Sequence, residues 1–212
     1  MRQDEGSERF SLGPVVLDLS HAYLSHAYLR QFDVRALARA YFAELAEFAG
    51  ASVHMGLRDG VDILMIESVR PRSAVILSGT DIGTRMNIAT SASGRAYFAA
   101  LDVADQRALL ADLRAAEPEG WAVRKARLDA AVQQCEALGY CSSLQEWHPD
   151  INALGCSLRG PRGELYAVRC GGPAYRWPAA LLVARIAPKL LQMQQAIARA
   201  VGGVPTSVSV GQ

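Results

Sequence analysis

The chain has 212 residues, of which 50% are hydrophobic and 20% charged, and its formal net charge is +1. These values are typical of a globular protein with a sizeable core, and a near-neutral charge disfavours general electrostatic binding to nucleic acid or anionic membranes. The apolar runs are shorter than the roughly 20 residues of a membrane span, and residues 1–5 lack the apolar region of a signal peptide. We therefore expect a cytoplasmic protein.

The N-terminal region is predicted to contain one helix. Residues 1–10 are polar and expected to be loose, and after Pro14 apolar residues recur at helical spacing as far as Leu29. The helix contains Ser-His-Ala-Tyr-Leu twice, so His21 and His26 lie five residues apart. This spacing is poor for a shared metal ion, and we interpret both histidines as surface or interface residues.

A helix and three strands are predicted next. Asp33 is suited to cap a helix over residues 34–48 that ends at Gly50. We expect its inward side to carry Leu37, Ala40, Tyr41, Leu45 and Phe48. Strand-like runs cover residues 51–57 and 61–68, with a hairpin signal at Asp59-Gly60 between them. Residues 73–78 are a third strand candidate, and 79–91 are interpreted as a loop.

The second half is predicted to continue with helices, strands and a final helix. The first of these helices covers residues 94–101. The second begins at Asp102 or Asp105 and ends at residue 116, and the third covers residues 125–137. The strands cover 140–146, 151–159 and 164–170, and a long helix spans 178–201 before a tail at 204–212. This order predicts an α+β fold with an antiparallel sheet.

The four cysteines of the chain show no CxxC pair and no zinc-ligand spacing. Cys156 and Cys170 fall on the apolar faces of predicted strands, where a free cysteine behaves as a small hydrophobic residue. We therefore expect reduced, buried thiols.

Small residues occupy one face of two neighbouring predicted strands. Because side chains alternate across a strand, two sets of three residues each share a face. These sets are Ala153, Gly155 and Ser157, and Ala167, Arg169 and Gly171.

The small faces have two interpretations. In the first, they leave room for a ligand, and Arg169 indicates an anion. In the second, helices pack closely on the small residues and Arg169 pairs with Glu146 or Asp150. Parity alone does not decide between them.

Four segments carry a resemblance to a known family. They are Phe10-Ser11-Leu12-Gly13 before an apolar helix, Gly83-Thr84-Arg85 with Ala92-Ser93-Gly94-Arg95-Ala96-Tyr97-Phe98-Ala99, Gly139-Tyr140 through Ser157-Leu158, and residues 167–173. In this order, the segments resemble the effector-binding domain of the IclR family of bacterial transcription regulators. The resemblance covers about residues 10–203.

The sequence departs from the family pattern where family members hold their small-molecule ligand. Asn87-Ile88-Ala89 stands in place of Pro-Leu-His, and Asp150 in place of a glycine. Residues 155–157 replace Ala-Ala-Pro, and Arg169 and Gly171 replace two serines.

The resemblance implies a GAF-like domain with a six-stranded antiparallel sheet flanked by helices. It implies the residual end of a winged-helix wing, or a loose N-terminus, at 1–13, a linker helix at 14–31, an effector-binding domain at 32–203 and a flexible tail at 204–212. We expect no cofactor or metal. The ligand-lining positions that it implies are Val75, Ser78, Met86, Ala92, Ser93, Ser143, Ala153, Arg169 and Gly171.

The chemistry of these positions indicates an organic acid. The helix start at residues 92–94 would present backbone N–H groups and a partial positive charge. Arg169 could hold a carboxylate bidentately, and Met86 and Val75 would supply an apolar wall. We expect a small carboxylic acid with an apolar body.

The expected function is effector sensing and homo-oligomerisation, as a dimer or tetramer, with linker-helix contacts. DNA would be bound only through a winged helix, most of which the chain lacks, so we do not expect this polypeptide alone to bind a specific site. One alternative is a GAF-like enzyme with a reactive cysteine, although Cys170 points away from Arg169. Another is a structural interaction module without a ligand.

Overall fold

The computed structural model describes residues 2–3, 10–11, 33–72 and 80–202. The predicted linker helix with His21 and His26, the strand candidate 73–78 and the tail 204–212 lie outside the described residues. No helix within the described ranges is long and apolar enough to cross a membrane.

The chain divides into two compact units, residues 1–36 and 37–212. In the first unit, strand β1 (Arg2–Gln3) pairs antiparallel with strand β2 (Phe10–Ser11). Part of the N-terminal segment is therefore a short hairpin. The assignment of residues 10–11 to the last strand of a wing stays a prediction.

The second unit is built around a sheet with strand order β5-β4-β3-β8-β7-β6, in which all neighbouring strands are antiparallel. The strands are β3 (Ser52–Asp59), β4 (Asp62–Val69), β5 (Arg85–Asn87), β6 (Cys141–Leu144), β7 (Ile151–Arg159) and β8 (Leu165–Pro173). The helices are α1 (Asp33–Ala49), which begins in the first unit, α2 (Ala92–Ala99), α3 (Val103–Ala116), α4 (Trp121–Leu138) and α5 (Ala179–Ala200). The predicted α+β fold with six antiparallel strands is confirmed.

Local signals in the sequence explain several element boundaries. The Asp102 carboxylate accepts a hydrogen bond from the backbone of Asp105 at 2.8 Å, which caps the start of α3. Asp59 lies opposite Asp62, and Gly60 has a φ of 65° in the turn between them, as the hairpin signal predicts.

The interpretation of residues 79–91 as a loop is wrong for β5. Its three residues pair with β4 at the sheet edge, with Met86 opposite Ile63. A strand this short has no alternation that a sequence pattern can detect. It ends where the Asn87 side chain accepts the backbone N–H of Ala89 at 2.9 Å.

The sheet side that carries Arg169 is called the site face. Residues directly opposite each other in antiparallel strands share a face, so the pairing register identifies its members. They include His54, Gly56, Ile63, Met65, Ser68, Met86, Cys141, Ser143, Ala153, Gly155, Ser157, Ala167 and Gly171. Helices α2, α3 and α4 cover this face, since Phe98, Leu109 and Leu128 pack in one core cluster with Ile63 and Met86.

The opposite face is covered by α5, which contacts β7. Asn152 lies on this face and donates to the carbonyl of Trp177, just before α5, at 2.9 Å. Helix α1 lies beside α5, because Arg185 and Lys189 stand 5.7 and 5.5 Å from the Phe48 ring centroid.

The predicted inward side of α1 is partly wrong. Leu45 is buried and Leu37 and Tyr41 are half-buried, but Ala40 is exposed and Phe48 is 44% exposed. The other buried residues of the helix within the second unit are Ala38, Phe42, Ala46 and Ala49. Three of these residues are alanines. A prediction based on large apolar side chains therefore selects a side of the helix next to the one that is buried.

Gly155 permits the start of α2 to lie directly on the sheet. A Cβ atom at this position would stand 2.1 Å from the carbonyl oxygen of Ala92 and 2.5 Å from its carbonyl carbon. Both are backbone atoms and cannot move unless the helix shifts. The absence of a side chain at Gly155 therefore sets the distance between α2 and β7.

We expect Gly155→Ala to lower the free energy of unfolding by about 1–3 kcal/mol, because the methyl group forces α2 away from the sheet. Urea denaturation of both proteins measures the difference. Gly172→Ala on β8 is the matched control, since its Cβ would stand 3.4 Å from Trp177, an ordinary contact. Equal losses in the two variants would contradict the close approach.

Candidate functional site

Arg169 is a charged residue in the middle of the sheet, and its side chain is 1% exposed. Its Nη1 lies 3.2 Å from the sulfur of Met86, a weak acceptor, and its Cζ stands 5.2 Å from the Trp147 ring centroid. Its Nε and Nη2 make no hydrogen bond within the described part of the chain. Burial lowers the pKa of Arg169 to about 10, so the group stays protonated at neutral pH.

The alternative in which Arg169 pairs with Glu146 or Asp150 is wrong. Glu146 is bound by Arg95 at 2.7 and 2.8 Å, and Asp150 is 83% exposed beside His148. Within the described part of the chain, no carboxylate lies within 4.0 Å of the Arg169 guanidinium. The positive charge is thus buried without a negative partner there.

His54 lies directly opposite Arg169 on β3 and is 0% exposed. Among the described residues, neither of its ring nitrogens makes a hydrogen bond of good geometry, although the backbone of Thr80 interacts with the ring. Burial and then the charge of Arg169 lower the pKa of His54 to about 3, while the backbone of Thr80 acts in the opposite direction. The imidazole is therefore neutral at pH 7 and offers one donor and one acceptor.

Sequence reasoning missed His54 because a lone histidine is more often structural. The signal was nevertheless available. Alternation along residues 52–56 places His54 with Ser52 and Gly56 and away from Val53 and Met55, by the same parity that singled out Arg169.

Met86 and Ser93, two of the predicted lining positions, lie near Arg169. The Ser93 hydroxyl stands 3.9 Å from the Met86 sulfur, which also contacts Arg169, so the hydroxyl and the guanidinium are no more than about 7 Å apart. Both Met86 and Ser93 are buried. This group brings together the sheet edge, the start of α2 and the middle of the sheet.

The start of α2 offers less to an anion than predicted. The Ser91 hydroxyl caps the helix by accepting the backbone N–H of Gly94 at 3.1 Å, so that donor is occupied. The carbonyl of Ala92 accepts the thiol of Cys141 at 3.4 Å, which fastens the helix start to β6.

Three other predicted positions lie in the adjacent row of the site face. The Ser143 hydroxyl donates to the carbonyl of Thr90 at 2.7 Å and is occupied in holding β6 to the segment before α2. Ala153 and Gly171 lie opposite each other, and a Cβ at Gly171 would stand 2.5 Å from that of Ala153. The predicted positions Val75 and Ser78 fall outside the described residues.

Arg95 is a second buried arginine, and its donors have partners. It is 3% exposed and donates to the carbonyls of Ala89 at 2.9 Å and Ser142 at 3.0 Å, besides forming the paired contacts with Glu146. Arg127 from α4 lies 2.9 Å from the same carboxylate. These contacts fix the segment after β6, so that Trp147 stands over Arg169.

The four cysteines are free thiols. The side chain of Cys135 and burial raise the pKa of Cys141, and burial raises those of Cys156 and Cys170, the last to about 12. Cys141, Cys156 and Cys170 are thus protonated at neutral pH and poor nucleophiles. Among the described residues, no three His, Cys, Asp or Glu side chains converge on a metal position.

We expect the two buried arginines to differ in their effect on stability. Arg95→Met leaves Glu146 and two carbonyls short of donors and should lower the unfolding free energy by about 3–5 kcal/mol. Arg169→Met removes a charge without a negative partner and should leave that free energy unchanged or raise it. Urea denaturation measures both, and an equally large loss in Arg169→Met would mean that its guanidinium has a stabilising partner.

The Glu146 pair should also weaken in acid. Burial raises the pKa of Glu146, but Arg95 and Arg127 outweigh it and hold the pKa below the ordinary 4.5. Because the folded pKa is the lower one, the stabilisation is complete above the unfolded pKa and is lost as the pH falls through the folded pKa. The difference in unfolding free energy between wild type and Glu146→Gln should therefore shrink from about pH 5 to pH 3.

The exposed Glu119→Gln serves as the control for that titration. A Glu146→Gln difference that stays constant to about pH 3 would mean that the carboxylate is not stabilised by the two arginines.

Comparison with known proteins identifies the family. The family model described as "Bacterial transcriptional regulator IclR C-terminal" matches residues 26–199. An IclR family transcriptional regulator from Brucella abortus has a solved structure with 32% identity and a TM-score of 0.86, over 94% of this chain and 73% of that one. The Thermotoga maritima IclR, at 17% identity and a TM-score of 0.70, covers 90% of this chain and 75% of its own and supports the fold alone.

Curated relatives agree with this assignment. The HTH-type transcriptional regulator TsaQ1/TsaQ2 of Comamonas testosteroni is 27% identical over 200 residues, which are 93% of this chain and 70% of that protein. The Pca regulon regulatory protein of Pseudomonas putida is 28% identical over 166 residues, 74% of this chain and 53% of its own length. The chain belongs to the IclR family of transcriptional regulators and consists mostly of the C-terminal effector domain.

Proposed function

We propose that this domain senses a small organic acid, whose carboxylate binds the guanidinium of Arg169. The observation that carries the proposal is the pair of buried donors, Nε and Nη2, that have no acceptor among the residues that the structure describes. A carboxylate would supply both the acceptors and the missing negative charge, and a guanidinium is suited to bind it bidentately.

The walls around Arg169 favour an apolar ligand body. Met86 and Ile88 are fully buried, and Trp147 packs against the core cluster that contains both. A ligand with its acid group on Arg169 would therefore extend along sulfur, aliphatic and aromatic surface, the usual composition of a small-molecule pocket.

The regulatory part of the proposal follows from family membership. We propose that the acid changes how a winged-helix domain binds DNA, and that the protein acts as a homodimer or homotetramer. The thiol pKa values do not favour the alternative of a cysteine enzyme, because Cys141, Cys156 and Cys170 would all have to lose a proton from a buried position.

Thermal unfolding with a panel of aromatic and aliphatic carboxylic acids tests the proposal. An acid at about 100 times its dissociation constant should add about 2.7 kcal/mol of stability, which is a rise of several degrees in the midpoint. The rise should vanish in Arg169→Met, because the carboxylate then has no cationic partner.

Arg107→Met is the matched control, since Arg107 is an exposed arginine on α3. It should keep the full response to the acid. A response that persists in Arg169→Met, or the absence of a response to every acid, would contradict the proposal.

A further inference from the structure

Two cysteines lie against each other where α4 ends and β6 begins. Cys135 is in the last turn of α4, and Cys141 is the first residue of β6. Cys135 packs against the small core cluster that contains Cys141, and its side chain interacts with the Cys141 thiol. The packing brings two sulfur atoms together, which is the first requirement for a disulfide bond.

The turn between α4 and β6 holds the two cysteines together. The backbone N–H of Gly139 donates to the carbonyl of Cys135 at 2.8 Å, and Gly139 has a φ of 78°, so the chain turns back on the helix end. The Gln134 side chain accepts the backbone N–H of Ser142 at 3.0 Å and its hydroxyl at 3.1 Å. Cys135 and Cys141 are the direct neighbours of that pair in sequence. Contacts on both sides thus keep the two thiols next to each other.

The two thiols differ in their access to solvent. Cys135 is half-buried, whereas Cys141 is fully buried. Cys141 also keeps its proton at neutral pH, because the Cys135 side chain and burial raise its pKa. An oxidant from solvent therefore reaches Cys135 first and leaves Cys141 as the thiol that closes a disulfide. Cys156 and Cys170 are buried and lie on the opposite face of the sheet from Cys141.

We propose that Cys135 and Cys141 form an oxidation site, at which hydrogen peroxide converts the two thiols into a disulfide bond. The Cys135 sulfur attacks one peroxide oxygen and the O–O bond breaks. Cys135 becomes a sulfenic acid, and the other oxygen leaves as water with the Cys135 proton. The Cys141 sulfur then attacks the sulfenic sulfur, the S–O bond breaks, and the hydroxyl group leaves as a second water with the Cys141 proton. The thiols lose two electrons, and the peroxide gains them.

The disulfide acts on the start of α2. In the reduced protein, the Cys141 thiol donates to the carbonyl of Ala92 at 3.4 Å. A disulfide sulfur carries no proton, so oxidation removes this hydrogen bond. The next residue, Ser93, lies near Arg169. Oxidation of the cysteine pair therefore loosens the helix start beside the candidate site, whichever ligand that site binds.

Peptide mapping of the full chain after treatment with hydrogen peroxide tests the proposal. The intact protein should lose the mass of two hydrogen atoms and regain it with dithiothreitol. Cleavage after Glu136 separates the two cysteines in sequence, so their peptides should stay linked until they are reduced. A link to Cys156 or Cys170, a link between two copies of the chain, or no link at all would overturn the proposal.

Three variants identify the role of each sulfur. Cys135→Ser should abolish the disulfide, whereas Cys170→Ala, the control on the opposite face of the sheet, should leave it in full. In Cys141→Ala the reaction should stop at the sulfenic acid of Cys135, which dimedone labels. This labelling tests the same assignment if the serine variant does not fold. A disulfide that persists in Cys135→Ser, or Cys141→Ala without a labelled Cys135, would contradict the assignment.

Hydrogen exchange measures the effect on α2. The backbone N–H groups of Gly94 and Arg95 donate to the hydroxyl and the carbonyl of Ser91 and report on the helix start. Their exchange should be about twofold to fivefold faster in the oxidised protein, since one weak hydrogen bond is lost. The amide of Leu109 on α3 is the control and should not change. Equal exchange of the α2 amides in both forms would overturn the effect on the helix and leave the disulfide standing.

Discussion

The buried guanidinium of Arg169 is the constraint on which the rest of the site depends. Its pKa of about 10 keeps it charged, yet within the described residues it contacts a thioether and an aromatic ring and no carboxylate. The same fold holds Arg95 at similar burial with four oxygen acceptors, two of them on Glu146. Two arginines in one molecule thus show what a structural arginine requires and what Arg169 lacks. Since burying a charge without a partner is unfavourable, the surroundings of Arg169 support the proposed ligand over a purely structural role.

Arg95, whose donors all have protein partners, positions the residues around Arg169. Arg95 lies on α2, and its contact with Glu146 fixes the residue that immediately precedes Trp147. The Trp147 ring then covers the Arg169 guanidinium. Gly155 adds the second requirement, because α2 could not come this close to the sheet over a side chain. The site thus depends on one ion pair and one glycine, neither of which need touch the ligand.

Local patterns predicted the fold and the face of the sheet on which Arg169 lies, and contacts distant in sequence were missed. Alternation along β7 and β8 placed Ala153, Arg169 and Gly171 on one face, and the register confirms this placement. The partner of Glu146 was missed because Arg95 lies 51 residues away. Whether the donors of Arg169 find acceptors depends on side chains distant in sequence, which no sequence pattern reports. The predictions for the alanine-rich contact side of α1 and for the short strand β5 were wrong for local reasons. Small side chains and three-residue strands leave little periodicity in the sequence.

The charge of Arg169 also determines which ligands the site disfavours. The family pattern that the sequence resembles has a serine at this position, and by that resemblance Arg169 is a departure that adds a full positive charge. Attraction and repulsion are both stronger in a buried site than in water, because the effective dielectric constant is lower. An ammonium group next to the carboxylate of an amino acid would meet the guanidinium as a like charge, and no described residue brings a carboxylate within 4.0 Å of that guanidinium to offset it. The neutral imidazole of His54 adds no negative charge either, since its pKa is about 3. The charge that favours a simple carboxylic acid in the proposed site therefore disfavours the corresponding amino acid.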